Sequence, residues 1–194
     1  MMIAGLLLLM PGCKSRVADA GNEDKVQVAI LVGDGFQDAE AYMPLGYLTN
    51  RGAEVTVIGP EAGIAKAYNS DFEIVIEKSV KEVSVDDFDA LILPGGHAPA
   101  TLRENEAVVE FARKFFESGK VTAAICHGPQ VLITAGVMEG KKSSGVGSIR
   151  EELEEAGATY LDEALVIDGN LITSRVPSDL NDFSAAIAKK LSLN

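Results

Sequence analysis

Four short, mostly apolar runs constrain this chain more than anything else in it: Val26–Val32, Glu54–Ile58, Ala90–Leu93 and Val121–Ile125. Each is β-prone, each gives way to glycine or proline, and the segments between them are long enough for a crossover. Strands joined by such connections lie parallel, and parallel strands are buried on both faces, so they read as runs and not as alternations. The expected fold is α/β, a doubly wound, mostly parallel sheet covered on both faces by helices. With 194 residues, 47% hydrophobic and 24% charged, the chain can build one domain with a sizeable core.

The remaining elements follow from periodicity and punctuation. A helix from Asp38, its cap, to about Arg51 contains Pro44 and stops at Gly52. Patchy alternation from Ile64 to Val80 predicts one or two peripheral strands. Ala107, Val108, Phe111 and Phe115 share one face of a helix predicted over Thr101–Ser118. A strand is expected within Lys141–Val146, then a charged helix over Ser148–Ala156 capped by Ser148. Asp168-Gly169-Asn170 marks a hairpin between Ala164–Ile167 and Leu171–Ser174, and a last helix spans about Ser178–Leu191.

The N-terminus reads differently. Ile3–Met10 is apolar, too short to span a bilayer, and precedes Pro11-Gly12-Cys13 and a polar stretch. The order resembles the lipobox of bacterial lipoproteins, which makes Cys13 a lipidation candidate, although no Lys or Arg precedes the run and Pro11 replaces a small residue. The expectation is an exported, membrane-anchored protein with residues 1–25 as leader and tether and 26–194 as the domain; the alternative is a cytoplasmic chain. A net charge of −12 without a basic cluster argues against nucleic acid as partner. Two cysteines, one of them in the leader, exclude a disulfide framework and a cysteine-based zinc site.

In open parallel sheets, ligands gather beyond the carboxyl ends of the strands. Three unusual loops lie there: Gly33–Glu40, Pro94–Pro99 and Cys126–Pro129. The last reads as strand, sharp turn, helix, with small residues (Ala124, Gly128) two places either side of Cys126, the outline of a nucleophile elbow. A cysteine over a helix N-terminus is expected to have a lowered pKa; the alternative is a buried cysteine acting as a small hydrophobe. Both histidines of the chain, His97 and His127, fall in these loops. Gly95-Gly96 could bring amides to a reacting oxygen, or only make a tight turn. Glu40, one turn into the first helix, is either a surface carboxylate or a partner sharing a proton with Cys126.

Ala-Ile-Cys-His-Gly-Pro-Gln (124–130), Leu-Pro-Gly-Gly-His-Ala-Pro (93–99), Asp-Ala-Glu (38–40) and Asp-Gly-Asn-Leu-Ile-Thr-Ser-Arg (168–175) resemble the PfpI family, in the superfamily of the parkinsonism-associated deglycase. The resemblance covers about Val26–Leu191. It implies a flavodoxin-like, three-layer sandwich of the class I glutamine amidotransferase type, dimeric or hexameric, with Cys126 as nucleophile, Glu40 beside it, His127 as catalytic histidine, and Gly96 and His127 amides as the oxyanion site, Gly95 and His97 lying at its mouth. In the peptidase branch, Arg-Ala-Pro-Glu follows Pro-Gly-Gly, and its Glu completes a triad across a subunit interface. Here the stretch is His97-Ala98-Pro99-Ala100, and Ala100 cannot orient an imidazole.

The leading expectation is therefore cofactor-free and metal-free, cysteine-dependent chemistry on a small reactive carbonyl, of glyoxalase or deglycase kind. Peptide or amide hydrolysis and a non-catalytic redox sensor are the alternatives. A dinucleotide fingerprint fails at Asp38, and no histidine follows His127 to serve a glutaminase.

Overall fold

The computed structural model describes residues 25–194, so the apolar run expected to act as a leader and Cys13 lie outside the described residues. Strands β1 (Gln27–Leu31), β2 (Glu54–Gly59), β5 (Lys78–Ser79), β6 (Ala90–Leu93), β7 (Val121–Ile125), β10 (Val166–Asp168) and β11 (Leu171–Ser174) make a seven-stranded sheet in the order β10-β11-β7-β6-β1-β2-β5. Every pairing in it is parallel except the β10–β11 hairpin. The central strands are as buried as their composition demands: Val28–Leu31, Ala90–Leu93 and Ala123–Ile125 are at most 1% exposed.

Helices α1 (Asp38–Thr49) and α6 (Leu180–Lys190) pack together, while α2 (Ala98–Leu102), α3 (Glu106–Glu117), α4 (Pro129–Thr134) and α5 (Arg150–Glu155) form a second contiguous layer. The patchy region resolves into an antiparallel pair outside the sheet, β3 (Gly63–Lys66) with β4 (Glu73–Ile76), followed by β5. A short parallel pair, β8 (Lys142–Ser143) with β9 (Thr159–Tyr160), completes the fold. Among the described residues no helix is long and apolar enough to cross a membrane.

Three expectations about helix starts are corrected. The first helix is capped by Gln37, whose Oε1 accepts from the Glu40 N–H at 2.7 Å; Asp38 is already helical, and Pro44 lies inside the helix, where it withholds the donor normally given to the Glu40 carbonyl. The helix predicted over Thr101–Ser118 is two, because the Asn105 side chain accepts from the amides of Ala107 and Val108 at 3.0 and 3.2 Å and so starts α3 afresh. Ser148 caps nothing: it lies in a 3-10 turn (Gly147–Ile149), α5 begins after Ile149 without a side-chain cap, and the Ser148 hydroxyl is directed elsewhere.

The chain leaves β1 toward β2 on one side, then returns to place β6 on the other. Loops from these two strands diverge there and open a crevice at their carboxyl ends. Isolated bridges from Phe36 to Gly96 and to Ala67 tie the loop after β1 to the loop after β6 and to the segment beyond β3.

Candidate active site

The three loops singled out by sequence meet at this crevice. Cys126 follows the fully buried β7 and adopts φ +60°, a left-handed conformation that non-glycine residues avoid. Hydrogen bonds hold both of its peptide groups: its N–H donates to the Ser174 carbonyl at 3.2 Å, and its carbonyl accepts from Val146 N–H at 3.1 Å. Gly128 makes the turn sterically feasible, since a Cβ there would collide with the Leu93 carbonyl oxygen.

Glu40 is completely buried on α1. Its Oε2 accepts from the Gly95 N–H at 2.7 Å, while Oε1 is buried without a hydrogen-bond partner among the described residues. Gly95 must be glycine for this approach: a Cβ would stand 2.7 Å from the Cys126 Cβ and 2.8 Å from Glu40 Oε2. The carboxyl therefore lies beside the cysteine, close enough for each group to shift the other's proton equilibrium.

Burial pushes the Glu40 carboxyl up to about 7, against the opposing pull of the Gly95 amide and the thiol. Burial and then the negative charge of Glu40 push the Cys126 thiol up to about 12, although the amides of Gly96 and His127 favour the thiolate. The lowered thiol pKa expected from the elbow is thus reversed: α4 has six residues, and its end cannot outweigh desolvation beside a carboxylate. Between these two values the pair holds one proton, with the thiol favoured as its seat.

His127 is half-buried. Its Nδ1 lies 3.4 Å from the Cys126 sulfur and its Nε2 3.3 Å from Ser148 Oγ. Burial, then the nearby His97, lower its pKa, with Glu152 opposing, so the ring is neutral at pH 7. His97 stays on the rim, exposed, its ring stacked at 4.3 Å on that of Tyr68. Ala100 is exposed on α2 and offers no polar group.

Of the residues proposed from sequence, Cys126, His127, Glu40, Gly95 and Gly96 come together, and His97 marks the mouth. Sequence reasoning missed Gln37, which sets the helix bearing Glu40; Tyr68, hidden in a segment that reads only as irregular; and Ser148, read as a helix cap. The Gln37-Asp38-Ala39-Glu40 spacing carried a usable signal for the first, a polar side chain three residues ahead of a helical amide.

Fold and site define a class of protein: an open parallel α/β sheet that presents an elbow cysteine beside a buried carboxyl at its switch point. Residues 26–190 match the DJ-1/PfpI family, and the chain belongs to it. It is 41% identical over 166 residues to a deglycase from Thermococcus kodakarensis, covering 86% of this chain and 99% of that protein. It is 42% identical over 160 residues to protein/nucleic acid deglycase 2 of Escherichia coli, covering 81% and 93%. The crystal structure of a two-domain protein from Anabaena variabilis, containing DJ-1/ThiJ/PfpI-like and ferritin-like domains, matches with a TM-score of 0.85 at 41% identity, covering 87% of this chain and 48% of that one.

Proposed function

We propose that this protein is a cofactor-free, thiol-dependent enzyme of the glyoxalase or deglycase kind, acting on small reactive carbonyls and their early adducts with amines. The observation that carries this is the buried Glu40 carboxyl held beside Cys126 across Gly95, a pair that passes to a single shared proton as pH rises through about 7. Relatives named deglycases, at 41% and 42% identity, support it. The thiol sulfur adds to the aldehyde carbon of a dicarbonyl as its proton passes to the Glu40 carboxylate, and the amides of Gly96 and His127 receive the developing oxyanion. Glu40 then returns the proton to that oxygen and closes the hemithioacetal. A second transfer through Glu40 carries the C–H proton of the former aldehyde carbon to its neighbour, while the hydroxyl proton passes from the first oxygen to the second, which gives a thioester and a hydroxyl. Water hydrolyses the thioester, releasing a 2-hydroxy acid and restoring the thiol.

A base of pKa about 7 suits this reversible proton traffic. Peptide hydrolysis is less well served, because expelling an amine calls for an imidazolium, and His127 has its pKa lowered and meets a hydroxyl, not a carboxylate, at Nε2. A peroxide sensor would need a resting thiolate, whereas this thiol is pushed up to about 12. The test is turnover of glyoxal, methylglyoxal and fluorogenic peptides by the domain beside its Cys126→Ser and Glu40→Gln variants. Carbonyl turnover abolished in both variants is expected; peptide cleavage that survives Glu40→Gln would overturn the proposal.

A further inference from the structure

Ser148 is the residue whose side chain has no structural task where sequence assigned it one. It caps no helix, and its hydroxyl meets His127 Nε2 at 3.3 Å, on the side of the ring opposite the sulfur. No acid lies at position 100 to take that place. We propose that Ser148 is a positioning residue for His127: its Oγ accepts the Nε2–H, which fixes the neutral ring in the tautomer whose free Nδ1 lone pair faces Cys126. The choice of tautomer follows from the sulfur side. Nδ1 lies 3.4 Å from the sulfur, where release of a product from Cys126 needs a proton acceptor while the thiol hydrogen itself serves Glu40, and its lone pair is free there only if the single ring proton sits on Nε2.

The consequence deepens the carbonyl reading and, for its kinetic half, rests on it. In the hydrolytic step, water attacks the thioester carbon, one water proton passes to Nδ1, the C–S bond breaks, and Nδ1–H returns that proton to the departing sulfur. During this step the imidazolium is held at Nε2–H by a neutral hydroxyl. A carboxylate there would trap the charged ring; a hydroxyl lets it form and collapse. The other groups facing His127 are Cys126, with Glu40 behind it, from the elbow, His97 from the start of α2, and Glu152 from α5. Glu152 is engaged by Arg103 and by the Gln130 amide at 2.9 Å, which leaves the hydroxyl as the hydrogen-bonding partner at Nε2 among the described residues.

Nitrogen-15 NMR of the ring nitrogens at pH 7.5 tests the tautomer directly, and with two histidines in the chain a His97→Gln background assigns it. The expected result is His127 mostly Nε2–H in the wild type, a mixture in Ser148→Ala, and restoration in Ser148→Thr. For methylglyoxal, Ser148→Ala is expected to lower kcat about fivefold, the rate equivalent of one neutral hydrogen bond, with KM little changed and Ser148→Thr largely rescuing. Ser148→Asp should raise the pH at which His127 titrates and slow thioester hydrolysis. An unchanged tautomer ratio in Ser148→Ala overturns the inference whatever the kinetics; a wild type that shifts tautomer as expected but turns over no carbonyl overturns the functional proposal and spares this one.

Discussion

Replacing Glu40 by Gln should remove activity and at the same time stabilise the protein above neutral pH. The glutamine keeps an oxygen to accept from Gly95 N–H and fits the same buried space, so at pH 4.5, where the carboxyl is already protonated, the two proteins should be about equally stable. Glu40 is an acid whose folded pKa is raised, from 4.5 to about 7. Its favourable contribution is thus complete below 4.5 and is lost as pH rises through 7, because over that window the unfolded chain has released a proton that the native state still holds. A shift of this size, at about 1.4 kcal/mol per unit, corresponds to roughly 3 kcal/mol by pH 8. For a domain of this length that is a rise in Tm of roughly 6–12 °C in the variant. Urea unfolding followed by circular dichroism at pH 4.5, 6 and 8 measures it, and the difference between the two proteins cancels the other titrating groups. A gap that stays flat across this range, or one that favours the wild type at pH 8, would refute the reasoning, since both require an ordinary carboxylate at position 40.

Other consequences are simpler to check. Carbonyl turnover should rise with pH through about 7 as the pair passes to its one-proton state, and a profile flat from pH 5.5 to 8 would contradict that. Alkylation of Cys126 by iodoacetamide at pH 8 should be faster in Glu40→Gln than in the wild type, because the negative charge that burdens the thiolate is gone, even as turnover disappears. Gly128→Ala should cost about 3 kcal/mol or more, read from urea midpoints, because backbone and not a flexible side chain stands in the way of its Cβ. Asn105→Ala should cost about 1 kcal/mol through the lost α3 cap, with no change in kcat.

The sheet was legible because its chemistry is redundant. Every residue of β6 and β7 is buried, and runs such as Ala90–Leu93 and Val121–Ile125 admit no other placement. The elbow was legible from steric demand, with small residues where any other would clash, and so was the meeting of the three loops, which follows from parallel topology alone. Helix boundaries were less so. Side-chain oxygens of Gln37 and Asn105 compete locally for amides at a level of about 1 kcal/mol, which periodicity does not register. The electrostatics of Cys126 were misjudged for a related reason. A turn motif suggests a dipole, but desolvation and the partner's charge depend on what α1 packs against the sulfur, and that is a tertiary fact. Tyr68 and Ser148 reach the site only through folding of the β3 neighbourhood and of the loop after β8.

The measurement closest to the heart of this account is the titration of the Glu40 side-chain carboxyl by carbon-13 NMR, identified by its disappearance in Glu40→Gln. A midpoint near 7 is expected, so that the carboxyl is still half protonated at neutral pH while the neighbouring sulfur keeps its hydrogen far into the alkaline range. A midpoint at 4.5 or below would mean an ordinary carboxylate beside the thiol, and the proton exchange on which the proposed chemistry depends would have no acceptor of matched strength.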